Sequence, residues 1–236
     1  MSARNGMTRR GLFVTGTDTG VGKTVVAVSL LRALRRTCRA VGMKPVAAGI
    51  DAGESLNADV RALIDASNVD APLADLNPYS FAPPIAPELA ARAAGTAIDV
   101  EVIAAAYARL AERADCVIVE GAGGVLVPLT RRTDMLDIPR YLGIPVLLVV
   151  GVRLGCLNHA LLSALAINAR GLVLAGWVAN RIDPAMRESD ANVASLAERL
   201  PAPLVADVAW NERDAPAIAA GDAALRQLCL DVLPRA

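Results

Sequence analysis

Residues 15–26 read TGTDTGVGKTVV, and no other stretch restricts the fold of this chain as much. They follow an apolar run, GLFVTG (11–16), and lead into KTVVAVSLLRALRR (23–36), where apolar residues recur at helical spacing. A strand, a glycine-bearing turn and a helix opening on Gly22-Lys23-Thr24 make the local order of a phosphate-binding loop. Backbone amides and the helix N-terminus face the anion, the lysine reaches the outer phosphates, and the threonine holds Mg²⁺. The usual spacing puts the first glycine of such a loop at position 17, where this chain has Thr17; the nearest glycine upstream is Gly16. The loop is therefore one residue longer than usual. The extra length sets Thr17, Asp18 and Thr19 beside the phosphates, where hydroxyls can face a second reactant.

Other apolar runs repeat the pattern of the first. VGMKPVA (41–47), CVIVEG (116–121), IPVLLVVG (144–151), LVLAGWVAN (172–180) and APLVADV (202–208) are nearly continuous in Val, Ile, Leu and Ala. Such runs suit strands of a parallel sheet covered on both faces. Helical stretches at 99–114, 156–171 and 189–200 alternate with them, with Asp99 and Ser189 expected as N-caps and Gly171 as a C-terminal stop. Alternation of this kind predicts an α/β fold: a P-loop NTPase-like, doubly wound, mainly parallel sheet with helices on both faces and right-handed crossovers. Residues 49–96 fit it less well, with a short helical segment near 58–66 and then NPYSFAPPIAPELAARAAG, dense in proline and turn residues. This is expected to be an elaborated loop region at the carboxyl edge of the sheet, where α/β proteins build their sites. A single domain over residues 1–236 is expected, with 1–10 a flexible extension.

Composition narrows the chemistry. Charges balance to a formal net of zero, which leaves no electrostatic footprint for nucleic acid or an anionic membrane. No apolar run approaches the ~20 residues that span a bilayer, and the N-terminus lacks the pattern of a signal peptide. A cytoplasmic protein is expected. Cys38, Cys116, Cys156 and Cys229 are far apart and read as free thiols. His159 is the only histidine, which excludes a His-based zinc site and a catalytic histidine anywhere else. Of 24 basic residues, 22 are Arg and only Lys23 and Lys44 are Lys. A chain that uses arginine for generic surface charge leaves lysine to places that need a compact ammonium. Lys23 lies in the phosphate loop, so Lys44, in MKPVAAG at the same sheet edge, is a candidate functional residue; a lysine snorkelling from a strand end is the plain alternative.

Mg²⁺ bound with phosphates takes carboxylate ligands. Glu120 ends the hydrophobic strand CVIVEG, the usual place for a metal-linked acid in P-loop proteins. The glycines of EGAGG (120–124) let backbone approach a ligand closely. Asp59, in SLNADVRAL, is a weaker candidate by spacing alone, because most such aspartates are solvated helix residues. GCLNHA (155–160) opens a helix whose first amides can hold a carboxylate, with capping by Asn158 as the plain alternative. VANRID resembles the guanine-reading N-K-x-D signature of GTPases, with Arg181 in the lysine position.

Taken in order, FVTGTDTGVGKT, KPVAAG, VEGAGG, VVGVRLGCLNHA, AGWVANR and PAPL resemble the dethiobiotin synthetases over residues 11 to about 212, and the long phosphate loop is part of that family's pattern. The resemblance implies a homodimer that uses ATP and Mg²⁺ to close the cyclic urea of dethiobiotin from 7,8-diaminopelargonate and CO₂ or bicarbonate. One amine captures CO₂ as a carbamate, a carbamate oxygen attacks the γ-phosphate, and the other amine closes the ring. It implies nucleotide contacts from Gly20, Val21, Gly22, Lys23, Thr24 and Val25, from Asp59, and from Glu120, Gly121, Ala122 and Gly123. It implies base contacts from Asn180, Arg181, Ala209, Trp210 and Asn211. Thr24, Asp59 and Glu120 gather the metal. Lys23, Lys44 and Thr19 serve the reaction, with Thr19 at the diamine end and Lys44 by the carbamate and γ-phosphate. Thr19, Lys44 and Ala48 line the substrate, and the amides of Gly155, Cys156, Leu157 and Asn158 hold its carboxylate, across the dimer interface. Some members carry Glu at the place of Gly20, a substrate-binding Ser at Ala48 and Pro at Ala209, so those contacts differ here. A GTPase rests on NRID alone. A ParA- or MinD-like switch ATPase needs a second lysine early in the loop, where Thr17, Asp18 and Thr19 stand.

Overall fold

The computed structural model describes residues 11–210 apart from Ala52; the first ten residues, Asn211 and Cys229 lie outside the described residues. In chain order the elements are β1 (Gly11–Gly16), α1 (Lys23–Leu34), β2 (Ala40–Met43), β3 (Val46–Ala48), α2 (Ala58–Ala66), α3 (Leu73–Leu76), β4 (Tyr79–Phe81) and α4 (Pro87–Ala93). They continue with α5 (Val100–Arg113), β5 (Cys116–Gly124), α6 (Asp137–Leu142), β6 (Val146–Val152), α7 (Cys156–Ala169), β7 (Leu174–Arg181), α8 (Ser189–Arg199) and β8 (Leu204–Val208). Six strands form one sheet in the order β2-β5-β1-β6-β7-β8, and every named pair is parallel. The expected α/β architecture is the one observed.

Alternation along each strand explains the two covering layers. Phe13, Val119, Leu148 and Trp177 point into one apolar layer with α5, α6, α7 and α8; Leu12, Val14, Ile118, Leu147 and Val178 point into the other, with α1 and α2. Both faces are buried, so the strands read as unbroken apolar runs. β1 lies between β5 and β6; the connection from the carboxyl end of β1 runs toward β2, and that from the neighbouring β6 runs the opposite way, to β7. That crevice is where doubly wound sheets place ligands.

Two expectations need correction. The run VGMKPVA is two strands in two sheets. Lys44 leaves the ladder, its N–H donating to Leu76 O at 2.8 Å, and Pro45 has no N–H to continue it. β3 then pairs with β4 in a separate two-stranded parallel sheet. Ser189 is the first residue of α8 and not its cap; the N-cap is Glu188 (φ 55°), and Ser189 Oγ accepts from Arg181 Nη1 at 2.9 Å. Asp99 does cap α5, accepting from Glu101 N, and Gly171 (φ 68°) follows the end of α7. Among the described residues no helix is long and apolar enough to cross a membrane.

Candidate active site at the phosphate loop

From the end of β1 the chain turns over the carboxyl edge of the sheet and enters α1 at Lys23. Gly22 sits in left-handed backbone (φ 91°), and a Cβ there would fall 2.1 Å from Asn180 Nδ2, so a residue with a side chain does not fit. Asn180, buried near the end of β7, donates from Nδ2 to Val21 O at 2.7 Å and pins the last turn of the loop. Lys23, itself buried, donates from Nζ to Asp18 O at 2.8 Å. Burial, and then the Lys44 ammonium, lower its pKa to about 8, against the opposing pull of Glu120, Asp59 and Asp18.

The second lysine is held more tightly. Lys44 follows β2, with its backbone fixed at both ends: its N–H donates to Leu76 O, and its carbonyl accepts from Asn77 Nδ2 at 2.6 Å. Its Nζ donates to Glu120 Oε1 at 2.5 Å, Asp59 Oδ2 at 3.0 Å and Gly121 O at 3.3 Å. Lys44 is 3% and Glu120 1% exposed, so the pair is desolvated. Burial alone would lower the lysine pKa, but Glu120 and Asp59 together outweigh it and hold the ammonium above its ordinary value. Burial likewise pushes the Asp59 carboxyl up, and Lys44, Thr24 and Lys23 more than offset it, leaving the group below its ordinary value.

Asp59 is presented by α2, whose N-cap Asn57 accepts from Asp59 N and Val60 N while donating from Nδ2 to Gly49 O at 2.5 Å. A carboxylate in the first turn of a helix sits well against the helix dipole. Thr24 Oγ1, on the first turn of α1, is 2.9 Å from both Asp59 Oδ1 and Glu120 Oε1. A hydroxyl has one proton and can donate to only one of them. Glu120 Oε2 is buried and has no hydrogen-bond partner among the described residues. A hydroxyl facing two carboxylates, with a carboxylate oxygen left unsatisfied, is a donor set that fits Mg²⁺ carried in with phosphate oxygens. Among the described residues there is no cluster of three or more His, Cys, Asp or Glu able to hold a metal unaided.

These groups line one cavity of about 630 Å³, together with Thr19, Gly20, Gly22, Val25, Ala48, Ala122 and Gly123. Val21 is buried under the loop and Gly121 supplies its carbonyl to Lys44. Asn57, Val127 and the strap Pro84–Pro87 also line the cavity; Asn57 and the strap belong to the 49–96 region expected at this edge, but none of these residues was singled out in the sequence. Asn57 carried a signal, an Asn immediately before the periodic run ADVRAL. The strap is placed by β3, with Gly49 N donating to Phe81 O and Ile50 N to Ala82 O, each at 3.0 Å.

Other expected site residues lie elsewhere. The Arg181 guanidinium is engaged by Asp207 through two bonds of 2.8 Å, by Asp190 at 2.6 Å and by Ser189. Ala209 and Trp210 follow β8. Gly155, Cys156, Leu157 and Asn158 form the start of α7, away from the cavity lining. Gly155 is its left-handed N-cap (φ 94°), and no side chain caps the helix, Asn158 included.

Known proteins resemble this chain in sequence and in fold. A family model described as an AAA domain matches residues 10–216. The ATP-dependent dethiobiotin synthetase BioD of Aromatoleum aromaticum is 55% identical over 199 residues, covering 83% of this chain and 88% of that protein. The protein of the same name from Nitrosospira multiformis is 52% identical over 204 residues (86% and 89% covered), and that from Pseudomonas aeruginosa 49% over 220 residues (92% and 96%). Among solved structures, the MinC:MinD cell division complex of Aquifex aeolicus matches with a TM-score of 0.56 at 15% identity, covering 95% of this chain and 94% of that one. MinD of Pyrococcus horikoshii complexed with Mg-ADP matches with a TM-score of 0.55 at 16% identity, covering 95% and 86%. At such identities these structures speak for the P-loop fold alone. Sequence identity of about half over most of both chains goes further: the chain belongs to the dethiobiotin synthetase family.

Proposed function

We propose that this cavity carries out ATP-dependent ring closure of 7,8-diaminopelargonate with CO₂ to dethiobiotin, in biotin biosynthesis. The observation that carries the reading is the meeting of both lysines of the chain with Thr24, Asp59 and Glu120 in one cavity beside the phosphate loop. The reactants are anionic at every stage: a carbamate formed from one amine and CO₂, the γ-phosphate it attacks, and the mixed anhydride that the second amine opens with loss of phosphate. The protein's task is to neutralise charge and fix positions, which suits a site with no histidine. Lys23 reaches the outer phosphates, and Lys44 bridges carbamate and γ-phosphate. Thr19, at the cavity rim, orients the diamine. Thr24, Asp59 and Glu120 would hold Mg²⁺, which supplies neutralisation of the phosphate oxygens. Adenine lies toward Asn180, Arg181, Ala209 and Trp210.

The same proposal makes the working unit a homodimer in the cytoplasm. α7 is apolar outside as well as inside: Leu162 and Leu165 are 56% and 65% exposed, and Leu154 just before it is 90% exposed. A second copy packed on this face would hide that surface and bring the uncapped first turn of its α7 within reach of a substrate carboxylate.

Phosphate release from Mg-ATP, measured with and without 7,8-diaminopelargonate and bicarbonate, tests the reaction. Release that needs both, with dethiobiotin identified by mass spectrometry, is the expected result; hydrolysis indifferent to the diamine would overturn it. The reading also sets a pH dependence. Bound phosphates favour the charged form of Lys23, so nucleotide binding takes up protons near pH 8. Affinity should be level below that pH and fall as pH rises through it, approaching about tenfold per pH unit. Calorimetry in two buffers of different ionisation enthalpy reads the proton uptake directly.

A further inference from the structure

The long phosphate loop contains an acid that the reaction does not use. Asp18 lies in the loop between β1 and α1, where an unpaired carboxylate would repel a bound triphosphate. Every oxygen of this residue is engaged: Oδ1 accepts from Thr19 N at 2.7 Å, its carbonyl from Lys23 Nζ at 2.8 Å, and Oδ2 from Arg153 Nη2 at 2.6 Å. Arg153 lies in the connection between β6 and α7 and does not line the cavity. A second cross-link joins the same two segments, with Gly151 N donating to Thr17 Oγ1 at 3.3 Å and Thr17 N to Val149 O at 3.0 Å. The extra length of the loop is thus fastened to the end of β6 at Thr17 and Asp18.

We propose that Arg153 is a positioning residue for nucleotide binding: it neutralises Asp18 and holds it in place while Lys23 transfers from the Asp18 carbonyl to the phosphates. This rests on the reading of the cavity as a nucleotide site. Without a nucleotide, Lys23 and Arg153 both stabilise Asp18. Once Lys23 turns to the phosphates, Arg153 is the cation that remains on it. The contribution therefore belongs to the bound state, and Arg153 acts through Asp18 without touching the substrate.

The pair is half-exposed, with side chains 42% and 47% accessible, so the effect is modest and sensitive to salt. Arg153→Gln should weaken binding of a fluorescent Mg-ADP analogue about fivefold, raise the KM for ATP by a similar factor and leave kcat nearly unchanged. Arg153→Lys should restore most of the loss. Removing the acid as well, in Arg153→Gln with Asp18→Asn, should also recover affinity, because the repulsion disappears with the charge. The deficit of Arg153→Gln should grow at low ionic strength and shrink in high salt. Unchanged affinity in Arg153→Gln, or a double variant worse than either single one, would overturn the neutralising role. Failure of the unaltered protein to bind the analogue would instead overturn the nucleotide reading itself.

Discussion

Replacing Lys44 by arginine should lower turnover by about a hundredfold or more while leaving the protein folded. The substitution keeps the positive charge, so any loss reports shape. Around a single nitrogen, the site provides Glu120 Oε1, Asp59 Oδ2 and Gly121 O at 2.5 to 3.3 Å, and the side chain is almost wholly enclosed. A tetrahedral ammonium meets three convergent oxygens; a planar guanidinium spreads its donors over a wider fork and has to displace the carboxylates to enter. Since Asp59 and Glu120 are the residues proposed to hold Mg²⁺, the misfit reaches the metal as well as the carbamate. Turnover within a few-fold of the unaltered enzyme would mean that charge alone is required. A companion substitution, Lys44→Met, separates the two consequences. It should bind Mn²⁺ more tightly than the unaltered protein when no nucleotide is present, because Lys44 no longer competes for Glu120 Oε1. Electron paramagnetic resonance reads this without activity, and weaker Mn²⁺ binding would show that lysine and metal do not share the carboxylate.

What could be read from the sequence, and what could not, divides by the distance over which a residue's role is set. The strand, loop and helix around Gly22-Lys23-Thr24 are local, and GLFVTG and the α1 N-terminus fall where the spacing put them. Glu120 was legible because a carboxylate at the end of an apolar strand already needs an explanation, and Lys44 because it is one of only two lysines beside 22 arginines. The position of Asp59 was not. Its meaning depends on α2 being swung against α1 so that its carboxylate meets Thr24 from 35 residues away, and no periodicity encodes that. The break after Lys44 was hidden for the same reason: KPVA is apolar enough for a continuing strand, and its departure follows from bonds to Leu76 and Asn77. Ser189 looked like a cap because capping is local, but the hydroxyl is taken by Arg181. Fold and function also separate here. MinD shares the sheet at 15–16% identity, whereas the family assignment rests on about half of the residues being identical over most of both chains.

Glu120→Gln is the substitution expected to damage stability and metal binding together. Lys44 is buried and charged, and Glu120 is its shortest contact. With a neutral amide there, the ammonium keeps Asp59, which is 42% exposed, and Gly121 O as partners. Losing a charge-assisted bond in such surroundings costs about 2 kcal/mol, seen as a lower urea midpoint at unchanged slope. Asp59→Asn removes a partner that water can partly replace and should cost less than half as much. For Mg²⁺ the two should converge. Each removes one of two carboxylates from the donor set, and each should raise the Mg²⁺ concentration needed for half-maximal nucleotide binding by about tenfold or more. The contrast between unequal stability and similar metal dependence is the test. If Glu120→Gln left stability unchanged or raised it, the burial penalty of the Lys44–Glu120 pair would equal or exceed its attraction, and the pair would be retained for chemistry alone. If either variant kept an unaltered Mg²⁺ dependence, that carboxylate would not be a metal ligand, and the hydroxyl of Thr24 would have only the other to work with.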